Sequence, residues 1–156
     1  MAFADDLLEQ ASHLARREKR KPKQASLRRA VSSSYYAVFH LLTSEAVANW
    51  RTIRQRASLA RSFEHGKMRS ACERVLRAPF AGRNLNSVAN LKMVAKSFIQ
   101  LQQQRHTADY DNSKTWSRTE VLGQVSLATA AFKGWHAIRT EEIAQDYLLW
   151  FLVNRP

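Results

Sequence analysis

Residues 26–50, SLRRAVSSSYYAVFHLLTSEAVANW, decide the fold. Leu27, Val31, Ser34, Tyr35, Val38, Leu41, Leu42 and Ala46 recur at three- and four-residue spacings, and Tyr36, Ala37 and Phe39 widen the stripe. That is the period of an α-helix. A helix apolar over so much of its circumference needs cover on several sides, which predicts a central helix in an all-α bundle. Upstream, residues 3–20 place Phe3, Leu7, Leu8, Ala11 and Leu14 at the same spacings, with acids in the first turn, bases in the last and Pro22 as the stop. Downstream, residues 51–62 are basic and polar around Ile53, Leu59 and Ala60, as a loop or a short helix would be. A helix is expected from Phe63 or His65 to Leu76, ending before Pro79, and residues 78–86 connect it to a strongly apolar helix from Val88 to at least Gln104. Ser117 and Glu120 have capping-box spacing and open a helix that runs to Ile138. A last helix from Glu141 to Phe151 is apolar enough to be either core or a contact for a second subunit. The expectation is one domain over residues 1–156, an up-and-down bundle of five to six helices.

Composition agrees. Four Gly and three Pro in 156 residues leave few of the residues that make the turns of sandwiches, barrels and phosphate loops, and 45% hydrophobic residues can furnish a core unaided. The single cysteine, Cys72, can form no intrachain disulfide, and the first residues carry Asp5 and Asp6 where a leader would be basic, so a cytoplasmic protein is expected. The apolar stretch Leu148–Val153 is far short of the roughly 20 residues of a membrane helix, so no membrane partner is expected.

The net charge of +12 is regional: residues 1–83 hold 17 basic and 7 acidic residues, the rest 8 and 6. One basic run extends from Arg16 to Arg29. A second, arginine-rich one includes Arg51, Arg54, Arg56, Arg61, Lys67 and Arg69, which are the candidate nucleic-acid-binding residues because guanidinium groups suit bidentate phosphate contacts. The alternative is a set of solvated faces that keep a small protein soluble. The first run has no interleaved aromatic residue, so base-specific readout has no visible basis there.

His13, His40, His65, His106 and His136 contain no pair at metal-ligand spacing, and no glycine-rich phosphate loop exists, so neither a metal nor a cofactor is expected. Titratable groups concentrate in Arg105-His106-Thr107-Ala108-Asp109-Tyr110-Asp111, at the end of the apolar helix. A purely structural reading makes this a helix end. Asp109 and Asp111 would then bond the local backbone, Arg105 would pair with one of them, and Tyr110 would pack with its hydroxyl outward. His65 suits a capping or packing role, Tyr35 and Tyr36 suit the core, and His40 a structural or subunit-facing one.

Three blocks in order, Leu27 to His40, Phe63-Glu64-His65-Gly66-Lys67-Met68, and Arg105-His106-Thr107-Ala108-Asp109-Tyr110, resemble the HEPN (higher eukaryotes and prokaryotes nucleotide-binding) superfamily. They resemble especially its small prokaryotic members, with an Ala-Val-Ser-x-x-Tyr-Tyr-Ala element and a later Arg-x-x-Ala-Asp-Tyr. The resemblance implies an all-α homodimer with a polar site along the dimer cleft. It also implies RNA or another nucleic acid as partner, and a metal-independent endoribonuclease of toxin–antitoxin or defence type. In that pattern Arg105 matches the motif arginine and His106 the polar position, while Tyr110 stands where active members carry histidine. A tyrosine of ordinary pKa near 10 is a poor base at neutral pH, so His106 or His65 would have to supply the base. The catalytic candidates are therefore Arg105, His106, Tyr110 and His65. The departure at Tyr110 favours the alternative, a non-catalytic dimeric domain that pairs with an antitoxin, a nucleotidyltransferase-like protein or another partner.

Overall fold

The computed structural model describes residues 2–153, and all regular structure among them is helical. In chain order the elements are α1 (Phe3–Ala15), α2 (Gln24–Ala48), a 3-10 turn (Ile53–Gln55), α3 (Arg56–Ala60), α4 (His65–Arg77), α5 (Leu85–Tyr110), α6 (Arg118–Ile138) and α7 (Glu142–Trp150). Seven helices exceed the expected five to six because the undecided stretch 51–62 folds into the 3-10 turn and the short α3. The helix α2 is central, packing against α1, α5, α6, α3 and α7. No described helix is long and apolar enough to cross a membrane.

Two apolar clusters hold the bundle. The larger joins Tyr35, Phe98, Trp135, Tyr147 and Phe151, all fully buried, with α4 contributing Met68 and Cys72. The smaller lies where the end of α1, the start of α2, the end of α5 and the start of α6 meet, around Ala15, Leu27, Val31, Ala108 and Trp116. The question left open for the C-terminal helix is answered by Ile143, Ala144, Tyr147 and Leu148, which are buried: α7 is core, with Leu149 turned outward and Leu152 and Val153 exposed just after it.

The first helix ends at Ala15 instead of residue 20. Five cations between Arg16 and Lys21 would repel one another at helical spacings. The α6 residue Arg118 takes the carbonyls that the early end leaves open, donating to Ala15 O at 3.0 Å and to the carbonyl oxygens of Glu18 and Lys19. Glu18, the lone acid of that run, accepts from the Lys23 backbone N–H at 2.7 Å and the Ser26 hydroxyl at 2.9 Å, which anchors the start of α2. At the other end of α2, Arg56 donates to the carbonyls of Trp50 at 2.8 Å and Ala48 at 3.0 Å. The capping box at Ser117 and Glu120 is formed in both directions.

Candidate functional site

The adjacent rings of Tyr35 and Tyr36 form the hub of the site. Tyr35 points into the core and is fully buried, whereas Tyr36, one residue on, is half-buried and lines a cavity of about 700 Å³. The Arg105 guanidinium of α5 lies 5.4 Å from the Tyr35 ring centroid and 5.7 Å from that of Tyr36, within cation–π range of both. Its side chain is only 15% exposed and ion-paired to Asp109 at 3.5 Å, and its Nε is buried with no hydrogen-bond partner. From the start of α4, His65 stacks on Phe39 at 4.5 Å and brings Nδ1 to 2.5 Å from the Tyr35 hydroxyl. Arginine and histidine thus flank one tyrosine pair.

The protonation states follow from burial. Burial first, then the repulsion of Arg105 and His40, holds the His65 pKa below its ordinary 6.5, and burial raises that of Tyr35. At neutral pH, Tyr35 is therefore a phenol and His65 a neutral imidazole, so their hydrogen bond runs from the hydroxyl to Nδ1 in one tautomer and from Nδ1–H to the hydroxyl oxygen in the other. Burial likewise lowers the pKa of His40. Because both histidines bind protons more readily unfolded, stability is expected to fall as pH drops below 6.5 toward their lowered values, and to be flat above that window. Urea unfolding between pH 7.5 and 5.0, above the range in which the carboxylates titrate, checks this; His65→Gln should shallow the dependence, and an unchanged slope would contradict the assignment.

The end of α5 is shaped by its alternation. Ala108 is buried in the smaller cluster, so Asp109 projects toward α2, where the Ser32 hydroxyl donates to its Oδ1 at 2.5 Å. Asp111 closes a local turn by accepting from the Ser113 backbone N–H at 2.9 Å. Arg28 ties this end to α2, donating to the carbonyls of Ala108 (2.8 Å), Asp111 (2.9 Å) and Lys114 (2.5 Å). The large cavity opens beside this junction, between α1, α2 and the end of α5. Its walls include Arg29, Ser33, His40, Asp109, Tyr110 and Phe3.

The four catalytic candidates divide into two pairs. Arg105 and His65 meet at Tyr35, while His106 and Tyr110 are exposed and face each other with rings 5.0 Å apart on the outside of α5. Tyr110 is 67% exposed and reaches the cavity rim. A second, open cavity of about 470 Å³ on the α4–α5 face is lined by Arg69, Gln102, Arg105 and His106. Of the six nucleic-acid candidates only Arg69 is drawn to this region, where it donates to Glu73 at 3.2 Å and to Gln102 at 3.4 Å. Lys67 stands 3.8 Å from Glu64. Arg56 is committed to the end of α2. Arg51, Arg54 and Arg61 are exposed on the segment after α2; the end of α2 lies about 18 Å along the helix axis from Tyr36, but the segment folds back, and Ala60, next to Arg61, shares a cavity with Phe3 and His40.

Ser32, Arg28 and Arg29 were missed as site residues by the sequence reading. The signal for Ser32 was a run of three serines inside an apolar stripe, since a mid-helix hydroxyl needs an acceptor: Ser34 finds the Ala30 carbonyl at 2.9 Å and Ser32 finds Asp109. Among the described residues no group of three or more His, Cys, Asp or Glu side chains is placed to hold a metal ion. Comparison with family models, curated proteins and solved structures finds no match to this chain, so the reading of its site rests on the chain's own geometry.

Proposed function

We propose that the protein is a HEPN-like, RNA-binding helical protein that takes single-stranded RNA across the face formed by α1, α2 and the end of α5. The observation that carries this reading is Arg105. It is a largely buried guanidinium, with an unpartnered Nε and a long ion pair, that lines the open α4–α5 cavity, and it is held against Tyr36, which lines the aromatic- and arginine-walled cavity on the other side. A phosphate entering the α4–α5 cavity reaches the edge of the guanidinium that lines it, and Phe3, Tyr36, His40 and Tyr110 offer ring faces to an unstacked base, with Arg29 beside them. The +10 balance of residues 1–83, from 17 basic and 7 acidic residues, supports the same reading.

A second reading, metal-independent scission of the bound strand, is favoured by His65. In the tautomer whose Nδ1–H donates to the Tyr35 oxygen, Nε2 of the neutral imidazole is free to take the proton of a ribose 2′-hydroxyl as it attacks the adjacent phosphorus, with the guanidinium stabilising the charge and the departing 5′-oxygen protonated by water. Both readings are tested with labelled single-stranded RNA. Arg105→Ala is expected to weaken affinity at least about tenfold, roughly 1.4 kcal/mol, and to reduce the slope of log affinity against log salt by about 0.7. Unchanged affinity and slope would refute the binding reading. With chelator present, scission by the wild type that is lost in Arg105→Ala and His65→Gln would establish the second, and a Tyr110→Phe lane reports whether that hydroxyl takes part. Intact RNA in every lane would reduce the protein to a binder.

A further inference from the structure

The C-terminal end of α2 carries an apolar surface that the site above does not use. Trp50 is 48% exposed, Ile53 75% and Leu149 55%, and Leu152 and Val153 are also exposed. Trp50, Leu149 and Leu152 share the walls of a groove of about 280 Å³ between the end of α2, α3 and α7, floored by Ala46 and Leu148. The 3-10 turn between Trp50 and α3 carries Ile53, exposed three residues after Trp50. Along the same segment, from Ala46 to Phe63, the sequence has four arginines and no acidic residue. Arg56 is used on the α2 carbonyls, which leaves Arg51, Arg54 and Arg61 exposed around the apolar surface.

We infer that this groove docks an acidic amphipathic helix of a partner protein. Its walls come from the end of α2, from α3 and from α7, and a partner helix would set its apolar residues at i, i+3, i+4 and i+7 against them. Beside the one ring of Trp50, the exposed lining is aliphatic, and Leu149 and Leu152 match a leucine-rich helix face better than a run of stacked bases. Tryptophan and arginine around such a centre are the side chains that dominate protein interfaces. The arginines then choose the partner's sign: glutamates flanking its apolar stripe meet Arg51, Arg54 and Arg61, and a basic helix is repelled. The inference is independent of RNA binding at Arg105, since the end of α2 lies about 18 Å along the axis from Tyr36.

The test uses a fluorescein-labelled peptide of roughly five helical turns with leucines on one stripe and glutamates on its flanks, and a twin carrying lysine for every glutamate. The full chain should bind the acidic peptide with a Kd on the order of 10 μM, and the lysine twin at least about tenfold more weakly. Leu149→Ser and Ile53→Ser, at exposed positions that leave the core intact, should each weaken binding about tenfold without moving the melting temperature. Arg51→Gln with Arg54→Gln should flatten the salt dependence. Equal binding of both peptides, or none, overturns the inference. So does loss of RNA affinity in Leu149→Ser, which would make the groove a nucleic-acid surface, or a wild-type dimer in sedimentation that Leu149→Ser converts to monomer, which would give the groove to a second copy. Retained RNA binding with lost peptide binding separates this result from any failure at Arg105.

Discussion

A chain truncated after Gln145 is expected to lose cooperative folding altogether. The cut removes Tyr147, Leu148 and Phe151, which are 0%, 3% and 0% exposed. Tyr147 sits with its ring 6.2 Å from Trp135 and 4.7 Å from Phe151, and Phe151 in turn meets Phe63 at 6.3 Å, so α6 and the loop before α4 lose their aromatic neighbours at once. Deleting one such side chain costs about 2–5 kcal/mol, and three together match or exceed the roughly 5–15 kcal/mol by which domains are stable. Circular dichroism should show reduced helicity, and urea titration no sigmoidal transition. A folded, monomeric truncation product in light scattering would return the segment to the role of a subunit contact. The milder Tyr147→Phe removes only the 3.1 Å hydrogen bond to the buried Cys72 thiol, whose pKa burial pushes up to about 12, and should cost about 1 kcal/mol.

That outcome could not be read from the sequence, and the reason is instructive. Tyr147-Leu148-Leu149-Trp150-Phe151 is apolar all round, and periodicity marks a face only where polar residues delimit it. The same limit did not touch α2, because an all-round apolar helix of 25 residues has only one stable place, the centre. The capping box at Ser117 and Glu120 was legible because its chemistry is local. The early end of α1 was not, because Arg118, which satisfies its carbonyls, comes from α6.

Charge was the least legible quantity. Arginines that look alike in a basic sequence have separate uses: Arg28, Arg56 and Arg118 are each spent on backbone carbonyls at a helix end, Arg105 on two tyrosine faces and a carboxylate, and Arg51 and Arg54 on none of these. A formal charge of +12 therefore overstates what is available to a polyanion. The pairing of Arg105 with Asp109 or Asp111 was anticipated by reading this stretch as a helix end, and Asp109 is the partner. The meeting of His65 with Tyr35 was not, because it joins two helices that the sequence separates by thirty positions.

Arg28→Ala is expected to be the most damaging substitution of a surface-reaching charge. The last turn of α5 contains no basic residue of its own, so the negative end of its dipole and its open carbonyls depend on a guanidinium supplied by α2. One side chain serves three carbonyls, those of Ala108, Asp111 and Lys114, and charged donors make hydrogen bonds worth about 1.5–3 kcal/mol each. Water recovers part of this at the exposed carbonyl of Asp111, which leaves a net loss of about 2–4 kcal/mol, or a melting temperature lower by roughly 5–15 °C for a chain of this size. Arg28→Lys should recover less than half, because a single ammonium cannot span the three oxygens that a planar fork reaches. Hydrogen exchange localises the effect. The Asp111 amide, bonded to Thr107 O at 2.9 Å, and the Trp116 amide, bonded to the Gln24 side chain at 2.9 Å, should lose protection while the amides of α7 keep theirs. A change in stability below about 0.5 kcal/mol would mean that water serves these carbonyls as well as Arg28 does. Asp109 and Tyr110, which follow Ala108 on the same turn, would then owe their position to the burial of Ala108 and to Ser32 alone.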